Sequence, residues 1–328
     1  MNQTLNQRHP LQEIIEKSSR IVFGCMGLGG SWDDDNYDKS HIKQAHHVID
    51  AALENGITLF DHADIYTSGK AERVFGEVLQ QRPELRSQIA LQSKCGIRFA
   101  DQDTPGRYDY SMNYITESVN GILSRLGVEQ IELLILHRPD PLMEAEEVAL
   151  AFELLKKQGK VSHFGVSNMQ LHQMDYINSC LSEPLVTNQL ELSLSQLAWL
   201  EEGVTSVCSG FESANFVSGT LEYCRKNNVQ LQSWGSLSQG LFSGKDITNQ
   251  PAHIQSTAVL VSKLANEYQV SKEAIVLAWL MRHPAKIQPV IGTTNSTRIT
   301  ACCQAQSIEL SREHWYSLYV SARGAALP

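Results

Sequence analysis

A (β/α)8 TIM barrel, with its working residues on the loops that follow the C-terminal ends of the strands, is the fold this sequence predicts. Three observations lead there: eight short β-rich runs, longer amphipathic stretches between most of them, and 328 residues with no linker or shift in composition. Strands alternating with helices signal parallel strands joined by crossover helices. Eight such units in one chain of this length favour a closed barrel over an open doubly wound sheet, which stands as the alternative.

In chain order the runs are IVFG (21–24), ITLFD (57–61), IALQSK (89–94) and ELLILH (132–137). They continue with SHFGVS (162–167), LVTNQ (185–189), VQLQSW (229–234) and IQPVIG (287–292). Helical stretches separate them, among them HIKQAHHVIDAALENG, AERVFGEVLQQ, YITESVNGILSRLG, EEVALAFELLKKQG and STRITACCQAQ. In the first of these, Ile42, Ala45, Ile49, Ala52 and Leu53 recur at three- and four-residue steps, and Gly56 is placed to stop the helix. A further helix is expected over 217–227, after an irregular connection at 190–215. The chain thus reads as one barrel domain over 1–328, of which 1–19 form an N-terminal extension.

Composition narrows the function classes. A hydrophobic fraction of 42% supports a sizeable core. A net charge of -9, a pI near 5.7 and the lack of a basic run argue against a nucleic-acid binder, whose affinity comes from clustered Lys and Arg. Neither a signal-peptide core nor the ~20 apolar residues of a membrane span is visible, so a soluble, cytoplasmic protein is expected. Seven cysteines without a CxxC pair signal neither a disulfide framework nor a zinc ribbon, and buried thiols are expected. A monomer is the default for a barrel ringed by helices.

The ends of the runs carry the chemistry. Asp61 and Tyr66 follow the second, Lys94 ends the third and His137 the fourth. Ser167 and Asn168 follow the fifth, Gln189 the sixth, Trp234 the seventh, and Gly292 to Arg298 the eighth. Each residue alone has a plainer explanation: Asp61 could cap a turn, Lys94 could be a solvated surface group, and a lone His is usually structural. Their coincidence at one face of the barrel sets those explanations aside.

The pattern Asp-x-Ala-x-x-Tyr in DHADIY, then Lys in LQSKCG, His in LILHRPD, the words GVSN, Gln189 and the Gly-Thr turn at 292, resembles the aldo-keto reductase superfamily from about residue 20 to about 310. Within it, SWGSLSQGLFSGK (233–245) is similar to the nucleotide loop of bacterial oxidoreductases and of potassium-channel β subunits. The resemblance implies an NADP(H)-dependent reduction of an aldehyde or ketone, with Asp61, Tyr66, Lys94 and His137 as catalytic residues. Chemistry alone supports the same roles. Reducing a carbonyl needs a proton donor for the oxygen as hydride reaches the carbon. Tyr66 can donate, an ammonium at Lys94 would lower the phenol's pKa of about 10, Asp61 would hold that lysine, and His137 would contact the carbonyl oxygen.

No GxGxxG opens a helix after a strand, so a Rossmann fingerprint is absent, and GCMGLGG (24–30) lacks the ending of a P-loop. The resemblance implies instead that Gly27, Leu28 and Gly29 touch the nicotinamide ribose and that Ser167, Asn168 and Gln189 clamp the carboxamide. It also implies that Trp234 stacks on the ring and that Gly235, Ser236, Leu237, Gln239 and Gly240 belong to the nucleotide loop. Asp61 borders the same nucleotide. A 2'-phosphate would be read by Gly292, Thr293, Thr294, Asn295 and Arg298, where small residues open a helix beside a guanidinium. Here the sequence departs from the family: Thr294 stands where a lysine is usual, and Ala301 and Cys302 replace a Glu-Asn pair. NADP is therefore preferred to NAD without a strong margin.

Pocket walls for a small carbonyl substrate are expected from Trp32, Arg98, Phe99 and Arg138, and from the 190–215 connection. His62 and Asp64 are expected as loop residues at the pocket edge. A metal site at Asp61, His62 and Asp64 is disfavoured, because no second cluster has ligand spacing. Two rivals remain: a Schiff-base lyase using Lys94, and a noncatalytic nicotinamide-nucleotide-binding module that senses redox state.

Overall fold

The computed structural model describes residues 8–205 and 217–328. Among the described residues there are ten strands: β1 (Val22–Gly24), β2 (Leu59–Asp61), β3 (Ala90–Cys95), β4 (Ile97–Arg98), β5 (Arg107–Tyr108), β6 (Ile131–Leu136), β7 (Val161–Ser167), β8 (Thr187–Glu191), β9 (Gln230–Trp234) and β10 (Gln288–Ile291). Eight of them close a parallel barrel in the order β1-β10-β9-β8-β7-β6-β3-β2. Each corresponds to one of the eight runs. The other two, β4 and β5, form an antiparallel hairpin after β3 that no run announced.

Helices return the chain between strands. Lys39–Glu54 starts at Asp38, whose carboxylate accepts from the Ser40 and His41 amides, and stops at Asn55 before Gly56, which takes φ +75. Met112–Leu126 is capped by the Ser111 hydroxyl and closed by left-handed Gly127. The helix expected over 217–227 spans Thr220–Lys226, after Gly219 at φ +91. Of the 190–215 connection, residues 206–215 lie outside the described residues. The described part adds a short helix, Ala198–Glu201, and Trp199 is buried with its indole N–H donating to Glu191 O at 2.7 Å.

Period-two alternation sends one set of strand residues to the helices and the other into the barrel. Phe60, Leu91 and Leu134 join the large outer core with Phe23 and Phe75. Val22, Leu59, Ala90, Leu133 and Ile135 form a separate inner cluster, completed by Leu11 and Ile15. The segment expected as an N-terminal extension therefore supplies barrel core. Its helix Pro10–Ile14 covers the N-terminal mouth, and His9, Ser18 and Ser19 are buried against strand starts. Among the described residues no helix is long and apolar enough to cross a membrane.

Candidate active site

At the other mouth a cavity of about 710 Å³ opens, bordered by Asp61, Tyr66 and His137. Lys94 sits at its floor with three acceptors for its three N–H groups. These are Asp61 Oδ1 at 2.7 Å, the Tyr66 hydroxyl at 3.0 Å and the His62 carbonyl at 2.9 Å. Asp61 ends β2 and Lys94 lies on the neighbouring β3, so the sheet itself brings them together. Tyr66 arrives from the turn beyond β2, where Thr67, Ser68 and Gly69 take φ of 46, 58 and 81 in succession. Two non-glycine residues in the left-handed region mark a turn held by its surroundings; the Thr67 hydroxyl meets Leu28 O at 3.1 Å. The Tyr66 and His137 rings stand edge to face, centroids 6.1 Å apart.

Burial and charge set the protonation states. Burial opposes the Lys94 charge, yet Asp61 and Tyr66 more than offset it and its pKa lies above the ordinary lysine value. The Tyr66 phenol is pushed up by burial; Lys94 pulls it down and Asp61 raises it again, leaving a net rise. This reverses the expected lowering, because desolvation of the phenolate outweighs the ammonium beside it. His137 is driven well below the usual histidine range by burial, then by Lys94 and Arg138, so its imidazole is neutral. A neutral ring can hold a carbonyl oxygen, an ammonium can stabilise a phenolate, and a protonated phenol can donate.

The predicted nucleotide residues converge unevenly. Ser167, Asn168, Gln189, Trp234, Gly235, Gln239 and Gly292 border the cavity, as does Ser238. The Asn168 amide, held at φ 61, donates to His137 O and Ser167 Oγ and accepts from the Trp234 indole at 3.1 Å, which fixes that ring. Ser236 is buried and bonded to Ser233, Leu237 packs on the core, and Gly240 takes φ +85. From the first glycine-rich loop, Gly24 and Met26 reach the cavity. Leu28 is wholly buried, Gly27 approaches Thr294, and Gly29 is tucked against Lys70 and Thr67. Thr293 supports the Asn295 amide, and Asn295 caps the helix Ser296–Cys303. Thr294 and Asn295 edge a separate surface hollow with Lys43 and His47. Arg298 links the two loops, 3.1 Å from Ser243 Oγ and paired with Glu273 at 3.3 Å.

The expected substrate walls divide. Trp32 and Arg138 border the cavity, and the Arg138 guanidinium lies 5.6 Å from the Trp234 ring centroid. Arg98 and Phe99 instead line a second hollow with Asp64 and Arg125, on the far side of Ile65 and Ile97, which border both spaces. The unforeseen hairpin is the reason: it carries the chain after Ile97 away from the barrel mouth, and Arg98 pairs with Asp109 at 2.7 Å.

His62 and Asp64 also differ from expectation. The His62 ring is fully buried, edge-on to Phe75 at 4.7 Å, and contributes to the site only through its carbonyl. Asp64 points to the second hollow beside Glu72 and Arg125. Among the described residues, no group of three or more His, Cys, Asp or Glu side chains is placed to hold a metal ion. Residues without a sequence signal include Gln92, which bonds Asp61, and Gln232, which bonds Gln92.

The description "Aldo/keto reductase family" matches residues 20–319. The chain is 35% identical over 323 residues to a 6-dehydroglucose reductase of Agrobacterium fabrum, covering 97% of this chain and 98% of that one. It is 34% identical over 327 residues to the oxidoreductase YcsN of Bacillus subtilis, covering 98% and 100%. A solved aldo-keto reductase from Klebsiella pneumoniae in complex with NADPH superposes with a TM-score of 0.69 at 21% identity, covering 94% of this chain and 92% of that one, a likeness of fold.

Proposed function

The chain belongs to the aldo/keto reductase family and is an oxidoreductase, and from that premise we propose that it reduces an aldehyde or ketone to an alcohol with NADPH, using Tyr66 as the proton donor. The observation that carries this reading is Lys94, buried and charged, bonded at once to Asp61 and to the Tyr66 hydroxyl.

The residues present fit a nicotinamide nucleotide. Ser238 Oγ is buried without a partner in the loop that begins at Gly235. The Gln189 side chain gives its N–H groups to Asp61 and Gln232, which leaves its carbonyl for a carboxamide donor. Trp234, Ser238 and Gln189 would hold the nicotinamide half, and Arg298 with Ser243 would hold a 2'-phosphate. Arg298 must then release part of its pairing with Glu273, and Thr294 offers no charge to help, so the preference for NADPH over NADH is modest. The bound cofactor supplies the hydride.

The chain's own part is proton transfer and orientation. Neutral His137 donates a hydrogen bond to the substrate oxygen and fixes its place beside Tyr66. The Tyr66 hydroxyl gives its proton to that oxygen as negative charge grows there, leaving a phenolate that Lys94 stabilises. Its raised pKa keeps the phenol protonated at neutral pH, while the lysine makes the phenolate reachable during the reaction. Trp32 and Arg138 form the outer wall and leave room for a small carbonyl compound. Sugar aldehydes of the kind named for the A. fabrum relative are the first to try.

The test is a fluorescence titration with NADPH and NADH, followed by cofactor oxidation against aldehydes, ketones and quinones. Tighter NADPH binding with turnover of at least one carbonyl is expected. A protein that binds neither nucleotide contradicts the reading.

A further inference from the structure

The floor beneath the tetrad is made of amides. Gln92 of β3, Gln189 of β8, Gln232 of β9 and Gln288 of β10 are all buried inside the barrel. Strand register aligns them: Asp61 is the direct partner of Gln92, and Gln232 that of both Gln189 and Gln288. Gln92 Nε2 donates to Asp61 Oδ1 at 2.6 Å and to Gln232 Oε1 at 2.9 Å. Gln232 Nε2 donates back to Gln92 Oε1 at 3.0 Å and on to Gln288 Oε1 at 2.9 Å. Gln189 Nε2 bridges Gln232 Oε1 at 2.9 Å and Asp61 Oδ1 at 3.3 Å. Gln288 Nε2 in turn donates to Ser18 Oγ at 3.1 Å and to the Ser19 carbonyl.

Barrel interiors are usually filled with layers of branched apolar side chains, and an amide buried there is costly unless it is bonded. Four amides in one layer therefore call for a physical reason. The donors run both ways from the middle of the layer: Gln288 gives its N–H groups to Ser18 and Ser19, and at the other end the Asp61 carboxylate takes N–H groups from Gln92 and Gln189 on the same oxygen that faces Lys94. Neutral donors orient a carboxylate without adding a charge that would compete with the ammonium. The Gln288 end rests on the segment that closes the opposite mouth.

We propose that Gln92, with Gln232 and Gln288 behind it, is a positioning device for Asp61, holding the carboxylate toward Lys94 and carrying the support of Ser18 and Ser19 through the barrel to the catalytic centre. The inference rests on the carbonyl-reductase reading, since turnover is its readout.

The experiment compares Gln92→Met, Gln232→Met and Gln288→Met, which keep side-chain length and remove the amide. Gln230→Met is the control, because Gln230 is buried on the same strand but bonds to His9, Leu231 O and Lys286 O, away from Asp61. With NADPH and an accepted carbonyl, kcat is expected to fall about tenfold in Gln92→Met and less in each variant further from Asp61, with NADPH Kd within about twofold. Gln230→Met lowers Tm but keeps kcat. In an Asp61→Asn background, Gln92→Met causes no further loss of the residual rate, as expected of two residues acting as one unit.

Full kcat in Gln92→Met overturns the inference, and so does an equal loss of kcat in Gln230→Met, which would trace the effect to lost stability. Should Gln92→Met fail to fold, Gln232→Met carries the same comparison one bond further away. A wild-type protein that turns over but is indifferent to these amides removes the inference alone. A wild-type protein inactive on every carbonyl removes the reductase reading and the inference with it.

Discussion

Lys94 Nζ lies 2.7 Å from Asp61 Oδ1 with both side chains almost completely shielded from water, so the charge that serves Tyr66 is paired inside the barrel. Removing one partner of a buried pair leaves the other uncompensated, at a cost of about 3–5 kcal/mol. Lys94→Met is therefore expected to lower Tm by several degrees as well as to abolish turnover. Calorimetry beside the kinetic assay checks both. Lost turnover with unchanged Tm would show that the amides already bonded to Asp61, from Gln92 and Gln189, compensate its carboxylate without the lysine.

Asp64 makes stability depend on pH. Burial, then Glu72, pushes its carboxyl up to about 7, with Arg125 pulling the other way. A carboxyl raised above its unfolded value contributes stability that is fully present below the unfolded pKa, near 4, and is lost as pH rises through the folded one. Asp64→Asn removes that loss. The variant's advantage in unfolding free energy, read by denaturant titration, should grow from pH 4 to pH 7 and then level off, approaching about 4 kcal/mol for a shift of this size. A difference that stays flat across this window would contradict the burial of the carboxyl.

In the proposed reaction Arg298 is the residue that would distinguish NADPH from NADH. Its guanidinium already contacts Glu273 and Ser243, and no lysine stands at Thr294 to share the load. Arg298→Ala is expected to weaken NADPH binding about tenfold or more, the range of a lost charge-assisted hydrogen bond, while NADH binding changes little. Fluorescence titration of both nucleotides measures this. Equal losses for the two would place Arg298 outside the 2'-phosphate site.

Much of this architecture can be read before any coordinates. The eight barrel strands were legible because apolar runs alternated with helical periods, and the tetrad followed because a barrel gathers strand ends at one mouth. The glutamine floor was not legible. Gln92, Gln232 and Gln288 carry no signal of their own until barrel closure and register set them side by side, and Gln189 was expected only at the carboxamide. The hairpin β4–β5 was too short to leave a pattern, and that moved Arg98 and Phe99 from the catalytic cavity to the hollow behind it. Leu11 and Ile15 were scattered apolar residues in a polar segment, and only the mouth of the barrel gives them a place. The sign of the Tyr66 shift depended on burial, which no local motif encodes.

Arg138 and Glu191 face the same cavity, one cation and one anion. Burial raises the Glu191 carboxyl, and Arg138 draws it down again. A pocket so balanced should favour neutral, hydroxyl-bearing carbonyl compounds over anionic ones. Arg138→Met is expected to reduce kcat/KM about tenfold or more for a hydroxylated aldehyde such as glyceraldehyde and to leave propanal little changed. A matched loss on both aldehydes would assign Arg138 to support of His137 and remove it from substrate selection.

In the proposed reaction the Tyr66 hydroxyl delivers the proton. Single-turnover rates of NADPH oxidation in Tyr66→Phe, measured beside the NADPH dissociation constant of the same preparation, test it most directly. The predicted result is a rate lower by at least about a thousandfold with cofactor affinity retained. A Tyr66→Phe protein that oxidises NADPH at the wild-type rate would contradict the account, and Lys94 and Asp61 would then be a structural ion pair beneath an unrelated site.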